Sequence, residues 1–432
     1  MREIISEIKR GIIVTKLVKG TMFSKSGALC LFLSLLFPIG AIILSFCLVN
    51  KKNIRVINIA IAISVFAIFT TIPPYQDLYR RYLDTYLSYS DFTTYADAIS
   101  GHVDILMYVI ALFLKKNDIP FYIFPAVQAG VVTYLFLSST KDVIESEYYD
   151  GDNIKLPLFI SFLFINLIAG ALGLRFYIAV ALFTKGVTIY LFNRRLALSF
   201  ILMISAAFFH FSMLLPIFAF IGSRFVRIKT SFVPVFFVIG FIFGSLILTY
   251  IIDSGILGYL GQYIKAGYID YSGNAEIDTK GNALIVTIWR YIMLLLIYIP
   301  CYYLKQRRDQ RIDFINFVGV YLIISSLTSI SANAFNRYMI AIGSFFVLLN
   351  FFLVIRFNIR RISVVALIFV FIINFVFQNI YLQRRPILLG TMWTGLYTPT
   401  VFSLLRTDQE FKLILNQIDD DGDWVKDKLA TK

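Results

Sequence analysis

Long apolar runs alternate with short polar stretches, most of them basic, from one end of the chain to the other. A helix needs roughly 20 apolar residues to cross the hydrocarbon core of a bilayer. Runs of that order fall at 28–49, 56–73, 119–137, 156–173, 175–192, 196–222, 231–252, 284–304, 313–331, 336–355 and 362–381. This pattern predicts an all-α, polytopic helical membrane protein with roughly 11–14 transmembrane or re-entrant helices. The run 104–114 is too short to cross and is expected to lie in the interface or to enter and return. The run 196–222, with His210 and Pro216 in its second half, is expected to be two short helices that dip in and come back. The apolar/polar alternation over about ten residues that marks an outer-membrane barrel is missing.

Three regions follow from the pattern. Residues 1–26 form a basic, amphipathic N-terminal segment. Residues 27–381 form the transmembrane region, with larger outer loops at about 75–103 and 253–283. Residues 382–432 form an amphipathic, acidic tail whose DDDGDW stretch reads as solvated.

Composition agrees. The chain is 59% hydrophobic and 15% charged, against about 25% charged in a soluble domain. The net charge of +14 sits between the apolar runs, so it reads as topological charge and attraction to anionic lipid, with no nucleic-acid partner expected. Basic loops at Lys51-Lys52-Arg55, Arg194-Arg195, Arg224-Arg227-Lys229, Lys305-Arg307-Arg308-Arg311 and Arg356-Arg360-Arg361 are expected on the cytoplasmic side. The outer loops then face the periplasm of an inner-membrane protein. One conflict arises: a single crossing at 28–49 puts the basic N-terminus outside, which a hairpin there would avoid. Cys30, Cys47 and Cys301 form neither a disulfide framework nor a metal spacing. No metal or cofactor is expected.

The candidate chemistry gathers at the expected outer face. Arg175 opens the run 175–192, Arg290 lies near the start of 284–304, and Arg337 starts the run 336–355. A guanidinium grips phosphate oxygens with two parallel hydrogen bonds and keeps its charge. Each of these arginines could instead snorkel or pair with a carboxylate. The first outer loop holds Asp77, Tyr79, Arg80, Arg81 and His102, a mixture that suits sugar stacking and hydroxyl or phosphate binding. Carboxylates are scarce within the apolar runs, which weakens an ion-coupled transporter.

The order of these features resembles the EpsG-type and Wzy-type polysaccharide polymerases. The carriers are YQDLYRRY after the second run, GLRFYIAVALF where that family usually reads Arg-Gln-Gly, AAFFHFSMLLP with its Ala-x-x-x-His spacing, and the late Arg-Tyr pair in FNRYMIAI. The resemblance implies polymerisation of O-antigen or exopolysaccharide repeat units at the periplasmic face. An undecaprenyl-pyrophosphate-linked oligosaccharide would be donor and acceptor, in contact with membrane lipid and a possible chain-length regulator. Arg175, Arg290, Arg337, Arg80, Arg81 and Tyr79 would bind substrate. His210, Asp77 or His102 would act as the base, and the residues leave that choice open. A flippase for the same lipid-linked glycan is the alternative.

Overall fold

The computed structural model describes residues 24–146, 154–265, 280–306, 312–343, 345–347, 361–406, 408–419, 422 and 424–425. Most of the N-terminal segment, the middle of the second outer loop, the end of the run 336–355 and several basic-loop residues lie outside these. The described residues are helical apart from turns and one isolated bridge between Ile418 and Trp424. Among the described residues, three helices are long and apolar enough to cross a membrane: Ile123–Ser146, Phe176–Asn193 and Thr230–Asp253. The chain divides into two compact units.

The first unit comprises residues up to Ala98, Tyr108–Leu174 and the chain from Ile373 onward. It opens with α1 (Lys25–Leu36) and α2 (Pro38–Leu48). Phe37 leaves helical geometry at φ −146°, ψ 85°, where the following proline disfavours the α conformation. Each arm is only about 18 Å long at 1.5 Å per residue, well short of a 30 Å core. The two arms return to one end: Asn53 Nδ2 donates to Ser26 Oγ at the start of α1 and to the Leu48 carbonyl at the end of α2, both at 2.9 Å. The run 28–49 is therefore a hairpin. It brings Ser26, at the start of α1, to the side of Lys51 and Lys52, so this run does not make the single crossing that creates the charge conflict.

Both arms pack on α3 (Ile54–Phe69), which in turn lies along α4 (Ile123–Ser146). The α3–α4 approach is close enough that a Cβ on Gly130 would meet the Ala62 carbonyl at 2.9 Å. The run 156–173 is not one helix. It breaks between α5 (Lys155–Leu163) and α6 (Leu167–Leu172). Backbone groups freed in an apolar surround need partners inside the protein. Asn379, from the last apolar run and 4% exposed, supplies them. Its Oδ1 accepts from Leu167 N at 2.6 Å and its Nδ2 donates to the Ile165 carbonyl at 3.1 Å.

The C-terminal stretch packs as part of this unit. Arg406 Nη1 donates to the Thr70 carbonyl, and Gly395 abuts the Ile68 backbone. Gly422, within the stretch expected to be solvated, is buried: its carbonyl accepts from Gln76 N at 2.8 Å. Its φ of +83° and backbone contacts within about 3 Å of any added Cβ leave room only for glycine.

The second unit comprises Ile99–Met107 and Arg175–Ile372. Here α7 (Phe176–Thr188) packs against α8 (Leu196–Phe209), which ends at His210. After a short 3₁₀ turn, α9 (Leu214–Gly222) returns. Two ring contacts fix the hairpin: His210 lies 5.3 Å from Phe176 at the start of α7, and Phe220 lies 5.0 Å from Tyr190 just past its end. The basic turn that follows is capped by Asn316, whose Nδ2 donates to the Ser223 and Val226 carbonyls and whose Oδ1 accepts from Ile228 N. Arg224 covers the Tyr190 ring at 4.6 Å and pairs with Asp313. One end of this unit thus carries the basic turns, and His210 marks the other. The remaining long helices are α10 (Val233–Asp253), α11 (Lys280–Gln306) and α12 (Ile312–Ser326).

Two measurements check these breaks. In a protein with its cysteines replaced by alanine, Lys25→Cys and Lys51→Cys should react with an impermeant maleimide from the same side of sealed vesicles. Labelling from opposite sides would contradict the first hairpin. Asn379→Leu should lower stability in detergent by about 1–3 kcal/mol, the cost of an unmade buried hydrogen bond, and speed hydrogen exchange at Leu167. Unchanged melting and exchange would show that the break does not rely on Asn379.

Candidate functional site

In the second unit, Arg175 stands immediately before α7, where Gly173 and Leu174 turn the chain into the helix. Its Nη1 donates to Asp104 Oδ2 at 2.7 Å. Asp104 is 1% exposed, and its other oxygen, Oδ1, accepts from Phe211 N at 3.0 Å. One carboxylate therefore joins the start of α7 to the turn between α8 and α9. A charge buried this deeply is tolerated because it is paired and hydrogen-bonded on both oxygens.

His210 forms that turn, with extended backbone at φ −155°, ψ 116° and 3% exposure. Its Nδ1 accepts from Ser212 N at 3.2 Å and lies 2.8 Å from Ser212 Oγ. A backbone N–H can only donate, so Nδ1 holds the lone pair and the neutral ring carries its hydrogen on Nε2. The imidazole caps the 3₁₀ turn through Nδ1 and carries its hydrogen on Nε2.

Arg337 follows the short helix Ala332–Asn336, and its guanidinium sits 5.4 Å from the Phe176 ring. Phe176 thus has His210 at one contact and Arg337 at another. Tyr338 donates its hydroxyl to the Ser212 carbonyl at 3.0 Å, and Tyr321 donates to the Tyr338 carbonyl at 2.7 Å. These bonds tie the Arg337 segment to the His210 turn. Arg290 donates to Asn336 Oδ1 and lies over the Phe335 ring. Its helix begins at Lys280, so Arg290 stands about three turns in rather than near the start.

Beside Arg337 and Tyr338 a slot opens, lined mainly by Phe211, Leu215, Leu248, Ile252 and Ala334. Its walls are apolar, and Arg337 is the charged side chain among its lining residues. Ile264, from the described start of the second outer loop, also lines it. Tyr259 from the same loop donates to the Gly101 carbonyl at 2.7 Å.

The first-loop candidates form a separate cluster in the first unit. Arg81 donates to Asp77, Asp84 and the Tyr108 hydroxyl at 3.3, 3.0 and 3.1 Å, which makes it the staple of the loop. Asp77 and Tyr79 are half-buried and Arg80 is exposed. Gln76 has a positive φ of 50° with ψ −120°, a strained backbone for a residue with a Cβ, held against Gly422. Burial pushes the Tyr89 phenol up to about 12, so it stays neutral. Hydrogen bonds from the Thr94 hydroxyl and N–H hold the Asp97 carboxyl below its usual range and cap the short helix that follows. His102 is exposed and belongs to the second unit.

The structure therefore brings Arg175, His210 and Arg337 together, with Arg290 linked through Asn336. Asp77, Tyr79, Arg80 and Arg81 form their own group. The sequence pattern gives Asp104, Phe176 and Ser212 no role, and Tyr338 enters it only as half of the late Arg-Tyr pair. For Asp104 the available signal was its place directly before the apolar run 105–114. Among the described residues no group of His, Cys, Asp or Glu has the arrangement of a metal site.

Among curated proteins and among solved structures, none matches the chain. The EpsG family model matches residues 74–388, from the Asp77 loop through α7, the His210 turn and Arg337 to the last apolar run. With most of its length in that match, the chain belongs to the EpsG family and is a helical membrane protein of the polysaccharide-polymerase kind.

Proposed function

We propose that the protein joins oligosaccharide repeat units carried on undecaprenyl pyrophosphate, at the periplasmic face of the inner membrane. The carrying observation is the apolar slot with Arg337 at its edge, beside the Arg175–His210 turn. An isoprenoid pyrophosphate has that same division: a hydrocarbon chain that favours apolar walls and a dianionic head that favours guanidinium.

In the reaction, an acceptor hydroxyl attacks the anomeric carbon of the donor. The bond to the pyrophosphate oxygen breaks, and negative charge grows on the departing group. Fixed positive charge and hydrogen-bond donors near that oxygen lower the barrier most. In this reading Arg337 meets the pyrophosphate. His210, whose Nδ1 accepts from Ser212 N–H, carries on Nε2 the hydrogen it would donate to the departing group. In this arrangement His210 stabilises the leaving group rather than taking the acceptor's proton. Among the candidates of the second unit, that leaves His102 for the task.

A flippase would handle the same head group but needs charges along a path open to both sides in turn. Here Arg337, which lines the slot, and Arg175 lie at the end marked by His210. The opposite end carries the basic turns at Arg194, Arg195 and Arg224. This segregation favours chemistry at one face.

In a deletion strain, wild type should restore a ladder of glycan lengths. Arg337→Ala, at equal membrane level, should leave single repeat units on the acceptor. Loss of even the single unit would indicate failed delivery and favour the flippase. His210→Asn separates the two functions of the ring, because Asn can cap the turn through Oδ1 but has no donor at the Nε2 position. It should fold normally and lower the polymerisation rate about a hundredfold, the usual cost of one transition-state donor. Wild-type rates in His210→Asn would confine His210 to capping.

A further inference from the structure

Resting on the polymerase reading, we propose that Asp104 is the positioning residue of the pyrophosphate site: it sets Arg175 and the His210 turn in register and touches neither substrate. The observation is the division of its two oxygens. Oδ2 takes the Arg175 guanidinium at 2.7 Å and Oδ1 takes the Phe211 N–H at 3.0 Å. Arg175 is bound to the residue that opens α7, and Phe211 directly follows His210.

The chemistry follows from burial. At 1% exposure Asp104 is screened little by water, so its pairing with Arg175 is strong and directional. It anchors one end of the guanidinium through Nη1 and cancels much of its charge. Arg175 then acts as a brace, holding the first turn of α7 and with it Phe176, the ring that Arg337 and His210 both contact. A second consequence concerns sign. An anionic carboxylate this near a pyrophosphate site would repel the ligand if it were not committed to Arg175. Two roles therefore make opposite forecasts. If Asp104 positions, removing its charge weakens ligand binding. If Asp104 competes with phosphate for Arg175, removing its charge strengthens binding.

The test is a double-mutant cycle on the purified full-length protein, read as affinity for geranylgeranyl pyrophosphate. The variants are Asp104→Asn, Arg175→Gln and the pair together. Either single change strands a buried partner, so melting temperatures are measured alongside, and the neutral pair Asp104→Asn/Arg175→Gln should melt closer to wild type than the singles. Each single variant should bind about tenfold more weakly, and the double also about tenfold rather than a hundredfold, because residues acting as one unit are not additive. Three results would overturn the proposal: wild-type affinity in Asp104→Asn, tighter binding in Asp104→Asn, or a double whose loss is the product of the singles. Because the readout is binding, a wild type that binds the pyrophosphate yet makes no polymer would refute the polymerase reading alone.

Discussion

An apolar surround leaves a broken helix with backbone groups that water cannot reach, and several of the described breaks in this chain are built around that constraint. Asn53 closes the ends of the first hairpin. Asn379 fills the gap between α5 and α6. Asn316 caps the basic turn after α9. At the α8–α9 turn the same task is shared by the His210 ring and the Asp104 carboxylate. Two of these breaks, at Ile165–Leu167 and after α9, are closed by neutral amides. The one at the α8–α9 turn is closed by ionisable groups, and it lies beside Arg337 and the slot.

That coincidence links the fold to the chemistry. A turn held by Asp104 must also hold whatever neutralises Asp104, and Arg175 does so. Arg175 opens α7, whose first residue, Phe176, meets both His210 and Arg337. The Tyr321–Tyr338–Ser212 bonds bring the Arg337 segment onto the same turn from the other side. The cations of the site are therefore arranged by the repair of a helix break. The apolar slot beside them adds the environment in which such charges act most strongly.

Much of this was legible in the sequence. Apolar runs gave the helical membrane class, and the position of His210 and Pro216 pointed to the second hairpin. The clustering of Arg175, Arg337 and His210 at one end followed from counting basic loops. Other features were hidden for a physical reason. The partners of a break are set by tertiary proximity, and Asn379 lies more than two hundred residues from the carbonyl it serves. The Phe37–Pro38 break sits inside a run long enough to cross, so length alone hides the hairpin. Asp104 looked like one loop aspartate among several. Only the fold places it against Arg175 and Phe211. Within the acidic tail, whose composition reads as solvated, Gly422 is seated on the strained Gln76 backbone, a contact that composition does not reveal.

The most direct test is reconstitution of the purified protein in liposomes with a single synthetic repeat unit on undecaprenyl pyrophosphate, followed by mass spectrometry of the lipid products. The account predicts glycans of two and more units, with one undecaprenyl pyrophosphate released for each bond formed, and no added metal-dependent partner protein. Movement of the intact substrate between leaflets without any lengthening would contradict it.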